Sequence, residues 1–143
     1  MPQQRTELKD KFLPNAQQLQ MVMPQAIELL SRKLKPEQIR EIAQVFQTLS
    51  WDFKDCALQV YLLLDEAGEI RYVPDISAMP DATVTLDAST LHDAAYGKTT
   101  FGLAFVMGKL KIKGISALKL TKFIPLLEPF LESYREAWEA YHE

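Results

Sequence analysis

Residues 104–120 read AFVMGKLKIKGISALKL, and this stretch decides which fold the sequence predicts. Leu110 and Ile112 alternate with lysines, a pattern typical of a β-strand that has one face in water. Gly108 precedes the strand and Gly114 follows it, and glycine commonly closes an element because it tolerates a left-handed backbone. The stretch therefore predicts a short strand with one apolar and one basic face.

Two apolar segments at helical spacing flank this strand. One covers residues 100–107, where Thr100 is suited to cap the first turn, and the other covers residues 115–124. Because almost no loop separates them, helix, strand and helix are expected to meet around a single apolar face.

The rest of the chain predicts four further strands, separated by turns or helices. The strands are predicted at 48–53, 57–64, 69–73 and 83–86, with 109–113 as the fifth. Pro24, Pro36 and Pro129 are predicted to start helices, because proline is best tolerated in the first turn. The fold class is therefore α+β, a five-stranded, mainly antiparallel sheet covered on one face by helices.

The composition fits one globular domain. The chain has 143 residues, of which 48% are hydrophobic and 24% charged, close to the averages of soluble proteins. Its net charge of −3 disfavours a nucleic-acid-binding protein with a broad basic surface. We divide the chain into an N-terminal tail with a short helix, the main domain and a C-terminal helical extension, at 1–22, 23–127 and 128–143.

Targeting features suggest a location. Cys56 is the only cysteine, so no internal disulfide is expected. The N-terminus has no apolar signal core and the last residues are not a peroxisomal address. The longest apolar run, Val60 to Leu64, is far shorter than the ~20 residues that span a bilayer. The sequence therefore predicts a cytoplasmic protein.

The sequence offers little catalytic chemistry. His92 and His142 are the only histidines, and both are predicted to be ordinary surface or capping residues because no metal-ligand spacing is present. Cys56 has no histidine close in sequence and is predicted to be a buried or edge thiol rather than a nucleophile. We therefore expect no enzymatic activity, no metal and no cofactor.

The densest apolar segment is the most ambiguous part of the sequence. Twelve apolar residues crowd into 101–127, and composition alone predicts that they form ordinary core. They are Phe101, Leu103, Phe105, Val106, Met107, Leu110, Ile112, Leu118, Leu120, Phe123, Ile124 and Leu127.

Three segments resemble the sterol carrier protein 2 family, also called non-specific lipid-transfer proteins. Residues 80–86 (PDATVTL) are similar to that family's fourth strand, and 89–98 (STLHDAAYGK) to the following helix and its closing glycine. Residues 104–105 together with 108–114 (GKLKIKG) are similar to the family's most recognisable segment. The resemblance implies a lipid carrier in which the sheet and the C-terminal helices enclose an apolar tunnel.

The resemblance also implies a lining and a ligand class. It assigns the twelve apolar residues to the tunnel wall, with Trp51 of the first strand as a further member. The implied ligands are fatty acids, fatty acyl-CoA, sterols or isoprenoid lipids, whose apolar parts need only shape and an apolar lining. Ile115 departs from the family, which usually has Asp there, and Asp can cap a helix whereas Ile cannot. Residues 125–143 also extend past the familiar core.

Three functions remain open from the sequence. The first is reversible lipid binding and transfer. The second is an accessory module that presents a lipid intermediate to enzymes, for instance in isoprenoid quinone synthesis. The third is a structural or dimerisation module whose tunnel is filled by Phe101, Phe105 and Phe123.

Charge is distributed unevenly along the chain. Residues 98–122 contain six Lys and no acidic residue, and three of these lysines, Lys109, Lys111 and Lys113, form a row on the predicted strand. The row is either the wet face of the sheet or a contact surface for anionic lipid headgroups, where each Lys contributes ~1 kcal/mol.

Four aromatic residues mark the C-terminal extension. Phe130, Tyr134, Trp138 and Tyr141 recur on one side of the last predicted helix. Either this helix packs on its own domain, or the stripe forms a lid over the tunnel or a contact with a protein partner or a second copy.

Overall fold

Five strands form one sheet in the computed structural model, which describes residues 15–76, 79–114 and 117–142 and, for 117–123, only the helical backbone. The strands are β1 (Thr48–Phe53), β2 (Leu58–Leu64), β3 (Ile70–Val73), β4 (Ala82–Leu86) and β5 (Leu110–Lys113). Their spatial order is β3-β2-β1-β4-β5. Among these strands β1 and β4 pair in parallel and the other pairs are antiparallel, which confirms the predicted sheet.

The described residues also form α-helices that surround one side of the sheet. They are α1 (Ala16–Lys33), α2 (Pro36–Ala43), α3 (Ala88–Ala95), α4 (Phe101–Val106) and α5 (Ala117–Tyr141). Helix α1 packs against α5 and β3, α3 against α5, and α4 against β5. Helix α1 therefore covers the β3 end of the sheet and α4 the β5 end, while α5 packs on α1 and α3.

The buried face of the sheet is the one that carries Trp51. Leu49, Trp51 and Phe53 of β1 are at most 2% exposed, because alternate side chains of a strand share one face. The strand pairing places Val84 of β4 beside Trp51, and Ile112 of β5 beside Val84. These residues form one continuous apolar row across three strands.

Pro24 does not start a helix, so that prediction is wrong. Helix α1 runs unbroken from Ala16 to Lys33 with Pro24 inside it. An interior proline costs about 3 kcal/mol, and burial of the apolar side chains around it, such as Met23 and Ile27, offsets that cost. The boundary predicted at residue 22 consequently lies within α1.

Pro129 does not start the last helix, so a second helix start predicted from a proline is wrong. Pro125 and Pro129 both lie inside the single helix α5. The Ser133 hydroxyl donates a hydrogen bond to the Pro129 carbonyl at 2.7 Å, and tertiary packing holds the rest of the helix in register. The boundary predicted at residue 127 also falls inside this helix.

The aromatic stripe of α5 packs on its own domain. Phe130, Tyr134 and Trp138 are 2%, 0% and 0% exposed, whereas Tyr141 remains 42% exposed. The Phe130 ring stacks on the Trp51 ring with centroids 4.6 Å apart. Of the alternatives open from the sequence, the one in which these aromatics are core agrees with the structure as far as Trp138.

Candidate functional site

Helix α4 is a short apolar helix whose two ends are fixed by local hydrogen bonds. The Thr100 side chain caps the start by accepting from the Leu103 amide at 3.0 Å, as predicted. At the other end Gly108 has a φ of 77°, and the Lys109 amide donates to the Ala104 carbonyl at 2.8 Å. This left-handed closure turns the chain directly from α4 into β5.

Strand β5 has the two faces that its sequence predicts. Leu110 is 4% exposed and Ile112 is partly buried, while Lys111 and Lys113 are exposed. Gly114 ends the strand with a φ of 85°, and a Cβ there would lie 2.5 Å from the Asp81 carbonyl oxygen. Only glycine fits this close approach, which anchors the end of the edge strand against the start of β4.

Between α4, the sheet and α5 lies a cavity of about 180 Å³. Its wall consists of apolar groups from three strands, α4 and α5. The lining residues are Trp51, Val84, Phe101, Gly102, Phe105, Leu110, Ile112, Ile124 and Leu127. This described part of the lining contains no charged side chain, so it is suited to an apolar group.

The floor of the cavity is rigid. Trp51 is 2% exposed, and its ring is held between Phe130, at a centroid distance of 4.6 Å, and Phe101, at 6.2 Å. Aromatic pairs at these distances stabilise beyond simple area burial. The cavity therefore borders the core through one fixed aromatic group.

The opposite side of the cavity is open. Phe105 is 50% exposed and Ile124 is 58% exposed, although both contribute to the lining. These two side chains, one from α4 and one from α5, form the mouth of the cavity. A ligand that entered here would cover apolar surface that now faces water.

The structure brings seven of the predicted site residues together and leaves three outside. Those in the cavity wall are Trp51, Phe101, Phe105, Leu110, Ile112, Ile124 and Leu127. Leu103, Val106 and Met107 are not part of it, with exposed fractions of 50%, 81% and 58%. The side chains of Leu118, Leu120 and Phe123 lie outside the described residues.

Two lining residues were not predicted. Val84 follows from the alternation of β4, which places it on the same face as the buried Leu86. Gly102 gave no signal in the sequence, because it contributes space rather than a side chain. Among the described residues beyond its own helix backbone and chain neighbours, the atom near a Cβ placed there is Thr100 Oγ1, at 3.9 Å. The space beside Gly102 is part of the opening.

The cavity is small for a whole lipid. An apolar cavity of roughly 150 Å³ holds a ligand the size of benzene, and drug-sized ligands occupy roughly 300–1,000 Å³. The space of about 180 Å³ therefore takes a short part of an acyl chain or one ring. A longer ligand has to continue through the mouth or displace part of the wall.

His92 is the residue on which the sequence interpretation fails most clearly. It is predicted at the surface or in a cap, but it is 0% exposed between α3 and α5. Its Nδ1 lies 3.1 Å from the Tyr134 hydroxyl, and the rings of Tyr96 and Trp138 are each 4.9 Å away. The buried Ala88 and Ala95 lie four residues before it and three residues after it, on the same face of the helix, and this spacing was the available signal.

The Tyr134 hydroxyl does not ionise readily. Burial, and then the neighbouring Tyr96 and Cys56, raise the pKa of the Tyr134 hydroxyl well above its ordinary value, so it remains protonated. His142 lies at the end of α5 with its Nδ1 2.9 Å from the Trp138 carbonyl, as predicted for a capping residue. This polar cluster is separate from the cavity wall.

Cys56 is also a poor nucleophile. Burial, followed by the neighbouring carboxylates Asp55 and Asp87, raises the pKa of the Cys56 thiol to about 11. Asp55 in turn accepts a hydrogen bond from the Ala88 amide at 2.9 Å, at the start of α3. A raised pKa leaves little thiolate near neutral pH, which is the opposite of an activated cysteine.

The part of the chain that the structure describes contains neither a candidate metal site nor a helix that could cross a membrane. Within 15–76, 79–114 and 117–142, no group of three or more His, Cys, Asp and Glu is placed to hold a metal ion. None of the helices in the same part of the chain combines the length and apolarity that crossing a membrane requires.

An α+β domain with an apolar cavity between its sheet and its helices has an architecture suited to binding an apolar ligand. The SCP-2 sterol transfer family matches residues 25–128, which is most of the chain, and the chain belongs to this family. The resemblance seen in the sequence is thereby confirmed. At the level of the family, lipid binding and transfer is the supported function.

Solved structures of similar fold come from free-standing and larger proteins. The sec-alkylsulfatase Pisa1 from Pseudomonas sp. is 27% identical over 71% of this chain and 15% of its own, with a TM-score of 0.55. A Thermus thermophilus protein, described as possibly a sterol carrier protein, is 17% identical over 89% of this chain and 90% of its own, with a TM-score of 0.53. Sterol carrier protein domain 2 of Helicoverpa armigera is 20% identical over 78% and 81%, with a TM-score of 0.52.

Coverage differs strongly between these proteins. The chain spans only 15% and 17% of the length of the two alkylsulfatase structures it matches. No curated protein sequence matches the chain. The two sterol carrier proteins described above are below 25% identical to this chain, so their likeness concerns the fold.

Proposed function

We propose that this domain reversibly binds the apolar part of a fatty acid, fatty acyl-CoA, sterol or isoprenoid lipid in the cavity between α4, β5 and α5. The single observation that carries the proposal is the cavity itself, walled by Trp51, Val84 and Ile112 and by apolar residues of two helices, with a half-exposed mouth. Such a site needs no catalytic group. Family membership supports the same class of ligand.

The energetics set a condition on how a long ligand is held. Burying an alkyl chain yields ~0.8 kcal/mol per CH₂, so a fragment of about six carbons gains roughly 5 kcal/mol. Micromolar binding requires about 8 kcal/mol after association costs. A 16-carbon chain gains about 12 kcal/mol if it is fully buried. We therefore expect the cavity to enlarge on binding.

Helix α5 provides the means of enlargement. Pro125 and Pro129 lie between the exposed Ile124 at the cavity mouth and the buried Phe130. Each proline lacks the amide that would bond the preceding turn, so this stretch bends more easily than the helix on either side. Movement of the segment before Pro125 would widen the cavity while the C-terminal half of α5 stays packed.

A second candidate is an accessory module that holds an alkyl substrate for an enzyme. The observation that favours it is the 27% identity with part of an alkylsulfatase, a protein whose name specifies an alkyl sulfate substrate. The apolar cavity suits the alkyl chain equally well. This candidate differs from free transfer in requiring a stable enzyme partner.

The test is binding of a fluorescent fatty acid to the purified chain. Phe105→Glu places a charge at the mouth and is expected to abolish binding, with circular dichroism to verify the fold. Gly102→Phe is a second variant that narrows the opening without touching the core, since little surrounds that position. Met21→Glu is the matched control, because Met21 is 57% exposed on α1 and is not part of the lining.

Binding by the variants tests the proposed site, and two further experiments separate the candidate functions. Loss of binding in the two α4 variants, with normal binding in the control, supports the proposed site. Normal binding in a folded Phe105→Glu variant contradicts it. Lipid extraction and mass spectrometry of natively purified protein separate a carrier from a filled structural module, and capture of an enzyme partner identifies the accessory module.

A further inference from the structure

Helix α4 and the adjoining edge of the cavity mouth expose large apolar side chains. Val106 is 81% exposed, Met107 58%, and Leu103 and Phe105 50% each. Ile124 of α5, which forms the mouth together with Phe105, is 58% exposed. Contiguous exposed apolar surface of this kind usually marks an interaction site. We call these five residues the α4 surface.

The outer face of α4 carries a projecting side chain and a gap one turn apart. Gly102 and Val106 are four residues apart, so they lie on the same face of the helix. Val106 is the most exposed large apolar residue of this helix. Among the described residues beyond the helix backbone and chain neighbours of Gly102, the atom near a Cβ placed there is Thr100 Oγ1, at 3.9 Å. The same face therefore offers both a side chain that can fill a space and a space that can be filled.

A face of this shape is complementary to itself. A two-fold interface uses the same surface twice, so residue i of one copy contacts residue j of the other, and j contacts i. Two α4 helices related in this way bring Val106 of each copy into the space beside Gly102 of the other. Glycine at the contact also lets the two helix backbones approach closely.

Charge does not select a different partner for this surface. Residues 99–108 contain no charged side chain, so α4 has nothing with which to pair a charged partner. Lys111 and Lys113 alternate with Leu110 and Ile112, which places the two lysines on the sheet face opposite the cavity and α4. An uncharged helix face meets its own copy without repulsion between like charges on that face.

We infer that two copies of this chain pair through α4, with Val106 of each copy seated beside Gly102 of the other. Gly102 lines the cavity, so Val106 of the second copy becomes part of the cavity wall and closes the opening beside Gly102. The inference deepens the proposed function and rests on it for the effect on a ligand, whereas the pairing itself is separable. A ligand in the cavity is expected to leave a dimer more slowly than a monomer.

The area of the α4 surface predicts a weak, reversible dimer. Half of a large apolar side chain covers on the order of 100 Å², so the five residues amount to roughly 500 Å² per copy. The total for two copies, about 1,000 Å², is at the lower limit for a specific protein interface. We therefore expect a dissociation constant in the micromolar range rather than a permanent dimer.

The first test is sedimentation velocity of the full chain at concentrations from micromolar to millimolar. The chain is expected to change from monomer to dimer, and added salt should not weaken the dimer because no ion pair holds it. Val106→Ala should weaken dimerisation about two-hundredfold, since each buried CH₂ lost costs about fourfold and each of two copies loses two. Val106→Glu should abolish it. Met21→Glu is the matched control, because Met21 is 57% exposed on α1 and should leave the dimer intact.

Disulfide formation tests the geometry of the contact. Chains carrying Gly102→Cys and chains carrying Val106→Cys, both in a Cys56→Ser background, are mixed with oxidised glutathione as the oxidant. Because the two positions meet in the dimer, the mixture should form cross-linked heterodimers faster than either variant forms cross-linked homodimers. Met21→Cys in the same background is the control for random collision and should cross-link more slowly than the mixture.

Ligand exchange separates this inference from the proposed function. A fluorescent fatty acid should dissociate more slowly at protein concentrations above the dissociation constant of the dimer, and Val106→Glu should remove that dependence. A chain that dimerises through α4 but binds no fatty acid supports the pairing, and the proposed function then fails alone. A chain that binds fatty acid but stays monomeric at every concentration overturns the pairing alone.

Three further results would also overturn the pairing. The first is a dimer that persists in a folded Val106→Glu variant, or one that Met21→Glu abolishes equally. The second is faster cross-linking within the Val106→Cys variant than in the mixture with Gly102→Cys. The third is a monomeric chain that binds phospholipid vesicles and loses that binding in Val106→Glu, which would assign the α4 surface to a lipid surface instead.

Discussion

The two halves of α5 have similar apolar content in sequence, but their described side chains, which in the N-terminal half are those of residues 124–128, differ in their surroundings. In the C-terminal half, Tyr134 and Trp138 are fully buried, whereas Ile124 in the N-terminal half is 58% exposed. The sequence left open a functional stripe at the end of the chain and implied a tunnel wall before it. The density of apolar residues in the sequence therefore does not distinguish a core helix segment from one that lines a cavity. The number of helices and strands packed against the segment makes that distinction.

The packed half of α5 is held from two directions. Lys33 of α1 forms ion pairs with Glu136 at 3.1 Å and Glu132 at 3.4 Å. On the other side the Arg135 guanidinium donates to the Ala95 carbonyl of α3 at 3.1 Å. Exposed ion pairs contribute little stability, so the burial of the aromatic rings carries most of it. The open half lies beside α4 and the edge of the sheet, at the mouth of the cavity.

Deletion of residues 129–143 should have the largest effect. It removes three buried aromatics, each of which stabilises the fold by about 3–5 kcal/mol, out of a total near 5–15 kcal/mol. The truncated chain is expected to lose cooperative unfolding in a thermal melt followed by circular dichroism. A folded, monomeric truncated chain would mean that this half is a lid, and the comparison between the two halves would not stand.

A pair of single substitutions should sharpen the comparison. Trp138→Ala in the packed half is expected to lower the free energy of unfolding by about 3–5 kcal/mol. Met107→Ala in the open part is expected to change it by less than about 0.5 kcal/mol. Urea denaturation of both variants measures the difference. Equal losses would show that α4 belongs to the cooperative core.

The smallest expected effect concerns thiol reactivity, which should differ between the partly buried Cys56 and an exposed position of α4. The pKa of Cys56 is raised from 9.0 to about 11, so at pH 8 its thiolate fraction is about a hundredfold lower than that of an ordinary thiol. Iodoacetamide should modify it about a hundredfold more slowly than a cysteine introduced as Val106→Cys in a Cys56→Ser background. The Cys56 rate should rise about tenfold per pH unit until the pH approaches 11, because only the thiolate reacts. Similar rates at pH 8 would contradict the shift.

The sheet was accessible from the sequence because its signals are local. Each strand is either an alternation of apolar and polar residues or a continuous apolar run, and turn residues bound it. For all five strands, the predicted bounds differ from the observed bounds by at most one residue. The helix starts predicted at Pro24 and Pro129 were wrong. The energetic cost of an interior proline can be judged from the local sequence, whereas the tertiary packing that offsets this cost cannot. No local rule shows that Met23 and Phe130 have partners on other elements.

The site was accessible only in part. The family resemblance assigned Trp51, Leu110 and Ile112 to the lining, and the alternation of β1 and β5 places all three on the inward face of the sheet. Helix α4 carries apolar residues on all sides, so its pattern could not separate Phe105, which lines the cavity, from the exposed Val106. That distinction depends on the angle at which the helix meets the sheet.

The parallel pairing of β1 with β4 has a consequence for folding order. The meander β1-β2-β3 closes short loops, whereas β1 reaches β4 only across the whole intervening meander, and loop-closure entropy makes such pairings slower. The row of Trp51, Val84 and Ile112 depends entirely on the later pairings. A state in which only the meander has formed would have part of the sheet but no floor for a ligand. A lipid that binds the cavity is therefore expected to stabilise the completed native state by mass action.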